Sequence, residues 1–155
     1  MQKTRLINFP PLQAIVFLIG IALVAACEPQ QRGVLQFNEA VLRVPVPGMD
    51  KSVGYVEIEN TGHQVITLKA VHSEMAGAIE LHETHESDGM MRMRRLPSLS
   101  IPAQSEVDLQ PNGKHLMFFR LQGILVGEQV EVTFVDTDDV SHTTLFEVVP
   151  LDYRR

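Results

Sequence analysis

The stretch SVGYVEIENTG, residues 52–62, decides the fold class. Val53 and Tyr55 are two residues apart, and so are Val56 and Ile58, before the run ends in the turn residues NTG. Apolar residues at a spacing of two are typical of a strand that buries one face in a core. This stretch is therefore predicted to form a β-strand that ends in a tight turn.

Short β-rich runs continue on both sides of that strand. None of the chain after residue 36 has ten consecutive residues with apolar positions at helical spacing. Strands of this length at regular spacing, separated by Pro, Gly and Asn, predict an antiparallel β-sandwich or barrel. The further predicted strands are residues 40–44, 64–72, 78–82, 90–96, 106–109, 115–121, 128–135 and 143–149.

Length and composition exclude several classes of protein. The chain has 155 residues, enough for one domain, and its 13 basic and 19 acidic residues give a net charge of −6. No basic excess exists to bind phosphates, so nucleic-acid binding is not expected. A single cysteine excludes an intramolecular disulfide, a CxxC redox pair and a four-cysteine metal site.

The first 26 residues have the pattern of a signal peptide. Lys3 and Arg5 precede an almost entirely apolar run, residues 12–26, which is short for a membrane span. The run ends LVAA and is followed at once by Cys27, the only cysteine, in a sequence that resembles the lipobox of bacterial lipoproteins. An ordinary signal peptide or an uncleaved anchor are the alternatives.

Lipidation of Cys27 would place the mature chain in the bacterial cell envelope, anchored to a membrane and facing the periplasm. Residues 27–36 are polar and aperiodic, and we expect them to be a tether. The folded domain is predicted to be residues 37–150, followed by a short tail, residues 151–155.

Two histidines and two methionines stand out in the second half of the chain: His82, Met93, His115 and Met117. His115 and Met117 are two apart, so on a strand both side chains leave the same face. A hairpin would return Met93 to the neighbourhood of His82. Thioether sulfur is a soft, uncharged ligand that suits Cu(I), and imidazole binds copper as well. The set favours Cu(I), then Ag(I), although each residue alone is more often structural.

The same residues carry a resemblance to a known family. The spacing His82-(10)-Met93-(21)-His115-x-Met117, with the flanking runs IELHET, GMMRMR and GKHLM, resembles the periplasmic copper chaperones called PCuA(C). The resemblance implies a cupredoxin-like, Greek-key β-sandwich that holds one Cu(I) through these four residues. It also implies a carrier rather than an enzyme, which exchanges copper with envelope proteins. Expected partners are assembly factors of cytochrome c oxidase or its copper-bearing subunit.

Several other residues lie near the motif. His85, Met90 and Met91 are candidates for accessory ligands, with an exposed loop as the alternative. The acids Glu80, Glu83, Glu86 and Asp88 are either a solvated rim or a docking face for a basic partner.

Three rival functions follow from the same residues. An electron-transfer cupredoxin needs a cysteine thiolate at the copper, and the only cysteine is at the predicted lipid junction. A metal hydrolase needs a third histidine or a carboxylate and an open water position. The remaining alternative is an envelope lipoprotein with a structural or interaction role that binds another metal or none.

Overall fold

The computed structural model describes residues 34–87 and 89–154, and within these ranges it contains strands and turns but no helix. No helix in this part of the chain is therefore available to cross a membrane. The strands are β1 (Leu35–Arg43), β2 (Lys51–Asn60), β3 (Ile66–His72), β4 (Ala78–Ser87), β5 (Met90–Arg95), β6 (Leu99–Ile101), β7 (Ser105–Leu109), β8 (Lys114–Phe119), β9 (Gln129–Asp136) and β10 (Ser141–Val149).

The strands form one hydrogen-bonded path in the order β5-β4-β8-β2-β1-β10-β9-β3-β6, with β7 paired to β2. On one edge, strand β2 pairs with two different strands: its first half pairs with β8 and its second half with β7. Strands β1 and β10 pair in parallel, whereas β4, β5 and β8 pair antiparallel. The predicted fold class, a cupredoxin-like antiparallel Greek-key β-sandwich, is confirmed.

Alternating residues of the strands build one large core and a smaller cluster of Val41, Tyr55 and Val149. Phe118, Phe134 and Phe146 are fully buried in the large core, and the rings of Phe118 and Phe146 meet edge to face at 6.1 Å. Edge-to-face contact suits aromatic rings because the positive edge of one meets the negative face of the other. Among the described residues, the buried apolar side chains lie between Leu35 and Val149.

The strands differ most from the prediction in three places. β1 begins at Leu35, inside the segment predicted as a tether, because Leu35 is buried in the core. β4 continues to Ser87 as a hairpin arm with β5. The three-residue strand β6, which pairs with β3, was not predicted because it is too short to show a period. The predicted signal peptide and Cys27 lie outside the described residues.

Candidate metal centre

The β4–β8 ladder places the two histidines side by side. His82 is the direct antiparallel partner of His115, and Glu80 is the partner of Met117. Residues opposite each other in an antiparallel pair project from the same face of the sheet. Leu81 and Leu116 face the core on the other side. We call the face that carries His82, His115 and Met117 the ligand face.

The hairpin brings Met93 to this face as well. Met93 pairs with Thr84 across the β4–β5 ladder, and Thr84 is two residues after His82, so it shares its face. β5 is the last strand at this edge of the described sheet, and the Met93 side chain is 53% exposed. All four sequence-predicted ligands therefore lie on one face of three adjacent strands.

His115 has one ring nitrogen that forms no hydrogen bond. Its Nδ1 donates a hydrogen bond to the carbonyl of Gly113 at 3.0 Å, because a carbonyl can only accept. Its Nε2 is buried and has no partner in the structure, although His115 is only 4% exposed. Burial lowers the pKa of His115, so the ring is neutral at neutral pH. A buried, neutral nitrogen with a free lone pair is suited to metal binding.

His82 also has one ring nitrogen that forms no hydrogen bond, and in this ring it is Nδ1. Its Nε2 donates to the carboxylate of Glu80 at 2.9 Å, and Arg95 lies 3.3 Å from the other oxygen of Glu80. The hydrogen bond from His82 lowers the pKa of Glu80. The Nδ1 of His82 is buried and has no partner. The ring centroids of His82 and His115 are 6.1 Å apart, so both unpartnered nitrogens lie in one small region of the ligand face.

A cavity of about 430 Å³ opens on the ligand face beside these rings. Met93, His115 and Met117 line it together, whereas His82 does not. The combined donor set is two imidazoles and two thioethers, which matches a soft monovalent cation better than a hard divalent one. Within the described ranges, no cluster of three or more His, Cys, Asp or Glu residues is placed to hold a metal.

Comparison with known proteins gives the family. The family model described as "Putative lipoprotein LpqE-like" matches residues 35–148. The chain belongs to the LpqE-like family. A protein of Leifsonia xyli subsp. xyli, also described as a "putative lipoprotein", is 30% identical over 144 residues, which are 88% of this chain and 86% of that protein. Membership in this family indicates a lipoprotein of the cell envelope, anchored to a membrane.

Solved structures with a similar fold include both copper-free and copper-bound proteins. The solution structure of apo-DR1885 from Deinococcus radiodurans is 26% identical, with both chains covered completely and a TM-score of 0.59. Its Cu(I) form is 27% identical, covers 84% of this chain and 87% of that chain, and has a TM-score of 0.62.

A copper-bound PCuAC domain from PmoF2 is 20% identical, covers 75% of this chain and 92% of that domain, and has a TM-score of 0.62. The PCuA(C) resemblance thus holds for the fold, while the matching family model is the LpqE-like one.

The three candidate accessory residues of this LpqE-like protein lie on different faces. Met91 is two residues from Met93 on β5 and shares the ligand face. His85 and Met90 pair with Arg92 and Ser87 on the opposite face, away from the four ligands. The alternation of the strand therefore leaves Met91 as the one accessory candidate that faces the site.

The acids near the motif also separate by face. Glu80 contacts His82 on the ligand face. Glu83 is on the opposite face, where it pairs with Arg94 at 2.8 Å and with Lys114 at 3.7 Å. The hydrogen bond from Arg94 lowers the pKa of Glu83. The spacing of two between Glu80 and His82 was the available sequence signal for their contact, but it was missed because all four acids were interpreted together, as a solvated rim or a docking face. Asp88 lies outside the described residues.

Proposed function

We propose that this protein is an envelope-anchored carrier of Cu(I). One ion per chain would be bound by His82, Met93, His115 and Met117. The observation that carries the proposal is the pair of imidazoles on neighbouring strands, His115 buried and His82 partly buried, each with one nitrogen hydrogen-bonded to the protein and a second, buried nitrogen without a partner. An unpartnered buried polar atom is costly, and a bound metal would remove that cost.

The form of the site favours transport over catalysis. With four uncharged ligands, the site with Cu(I) bound would have a net charge of +1. Thioether ligands do not produce the activated water of a metal hydrolase. Met93 is more than half exposed on the edge strand, so one ligand is accessible to an exchange partner. A site with one ligand on an exposed edge suits release of its cargo better than permanent retention.

The expected location and partners rest on the LpqE-like family and on the resemblance to PCuA(C) chaperones. A lipid on Cys27 would hold the domain at a membrane surface. Copper donors or acceptors of the envelope would then meet the ligand face, and assembly of the copper centres of cytochrome c oxidase is the function that the resemblance implies.

The test is an anaerobic Cu(I) titration against a coloured chelator, with residues 28–155 as the protein, since these include every core residue of the described ranges. We expect one Cu(I) per chain, and a large loss of affinity in His82→Ala and His115→Ala. His63→Ala is the matched control, because His63 is exposed in the β2–β3 loop. Thermal unfolding of each variant separates lost binding from lost folding. A wild-type chain that does not compete for Cu(I) would overturn the proposal and leave a β-sandwich lipoprotein with another role.

A further inference from the structure

The cavity beside the candidate copper ligands has an unusual charge. Among its lining residues the only charged side chains are Arg43 and Lys51, and no acid lines it. The whole chain, in contrast, has six more acidic than basic residues. The nearest acids in sequence, Asp50 and Asp152, are exposed neighbours of lining residues and do not line the cavity. The cavity is thus a local positive region on an acidic protein.

Strands β1 and β2 place both cations on the ligand face. Lys51 is the ladder partner of Phe119 and is two residues before Val53, the partner of Met117. The guanidinium of Arg43 stacks over the ring of Tyr55 at 5.3 Å and donates from Nη2 to the carbonyl of Tyr153 at 2.8 Å. The Nε of Arg43 is buried and has no partner. Neither cation forms an ion pair with a carboxylate in the described part of the chain.

We propose that this cavity docks an acidic side chain of the protein that exchanges copper with this one. The inference rests on the proposed function, because it assigns the cavity to the step in which Cu(I) changes ligands. An incoming copper ligand must approach from the side that the cavity leaves open, next to Met93 and Met117. A glutamate or aspartate beside that ligand would pair with Arg43 and Lys51 as the partner arrives.

Charge and space both favour this occupant. Cu(I) adds a positive charge to the two cations already present, so an anion is attracted more strongly when the site is loaded. A volume of about 430 Å³ holds one or two side chains rather than a folded element. Complementary charge at such a surface raises association rates and selects partners more than it raises affinity. Docking of this kind would therefore raise the rate of copper transfer without raising the affinity of this protein for Cu(I).

Transfer to two matched peptides tests the proposal. One peptide has two methionines and two glutamates, and its twin has glutamine in place of both glutamates. The copper-loaded chain, residues 28–155, is mixed with each peptide at low salt, and release is followed by stopped flow. We expect the wild-type protein to load the acidic peptide about tenfold faster than its twin. The ratio of the two loading rates, acidic peptide over its twin, should fall in Lys51→Gln and approach one in the Arg43→Gln/Lys51→Gln double variant. For wild type the same ratio should fall at high salt.

Lys69→Gln is the matched control, because Lys69 is a surface cation on β3 that pairs with Asp139. It should leave the ratio unchanged. A wild-type ratio of one, or a high ratio that survives the double variant, would overturn the inference. A chemical-shift titration of the copper-free protein with the acidic peptide adds a second readout, in which the amides of Lys51 and Val53 should move. Failure of the proposed function is a different result, since that protein would not bind Cu(I) in the titration at all.

Discussion

His82 and His115 are direct partners in the β4–β8 ladder, with their ring centroids 6.1 Å apart. Each ring donates one N–H to the protein and keeps the other nitrogen without a partner. The register of two paired strands, rather than a loop, therefore fixes the spacing of the two nitrogen donors. Sites on paired strands hold their geometry better than sites on loops, so this half of the site is expected to exist before copper arrives.

The contact between Glu80 and His82 leads to the first prediction. Glu80→Gln removes the negative charge that holds the N–H of His82 on Nε2. A smaller fraction of the molecules would then have the tautomer in which the Nδ1 lone pair is available to bind copper. We expect Cu(I) affinity to fall about tenfold. Glu83→Gln is the control, since Glu83 is on the same strand but the opposite face, and it should bind copper as wild type does.

The imidazole nitrogen shifts of the copper-free protein provide an independent readout of this prediction. In wild type, ¹⁵N NMR should find the proton of His82 on Nε2 and that of His115 on Nδ1. Glu80→Gln should change the pattern at His82 and leave His115 as it was. An unchanged His82 tautomer together with wild-type affinity would remove Glu80 from the account of the site.

The close approach of β2 to the core leads to a prediction about stability. A Cβ on Gly54 would lie 2.7 Å from the ring of Phe118 and 3.3 Å from that of Phe146. Gly54→Ala should therefore force the buried rings apart and lower the free energy of unfolding by about 1–3 kcal/mol. Urea unfolding measures it. Gly123→Ala, where the new Cβ meets nothing within 4 Å, should have little effect; equal midpoints for the two variants would contradict the packing argument.

The β9–β10 turn leads to a prediction about pH. Asp136 is buried, which alone would raise its pKa, but hydrogen bonds from His142 and from the amides of Val140 and Asp138 hold its pKa below the ordinary value of 3.8. A carboxyl group with a lowered pKa in the folded state stabilises the protein above the unfolded-state pKa. This contribution is lost as the pH falls through the folded-state pKa.

Asp136→Asn should thus lower the free energy of unfolding at pH 7 by about 1–3 kcal/mol. The difference from wild type should begin to shrink below about pH 4, where the unfolded-state carboxyl group starts to protonate, and should shrink further as the pH falls through the lowered folded-state pKa. Thermal unfolding at a series of pH values measures it, and Asp139→Asn, at an exposed position in the same turn, is the control. A difference that stays constant from pH 7 to pH 3 would show that the charge of Asp136 is not the stabilising feature.

The sequence predicts the fold class well because strand periodicity and turn residues are local signals. It misses β6, which has only three residues between short turns, and it places the start of β1 too late because the apolar alternation there is irregular. The four proposed ligands come from spacing and from resemblance. Their common face, however, depends on the register of β4 against β5 and β8, which no local pattern reveals.

Register also explains why the neighbouring candidates could not be separated by sequence. Met90 and Met91 are adjacent in the chain, but a strand turns them to opposite faces. Glu80 and Glu83 are likewise on opposite faces, one beside His82 and the other beside Arg94. The positive cavity was missed for a different reason, because Arg43 and Lys51 are on strands far in sequence from His115 and line the same cavity only in the folded sheet.

The central claim is that thioether sulfur from Met93 and Met117 holds Cu(I) together with the two histidines. The most direct test is the anaerobic Cu(I) titration of Met93→Leu and Met117→Leu, with Met90→Leu as the control from the opposite face of β5. Leucine keeps the apolar volume and removes the sulfur, so folding should be retained. We predict one-to-one binding in wild type and in Met90→Leu, and strongly weakened binding in the other two. Wild-type affinity in both Met93→Leu and Met117→Leu would contradict the account.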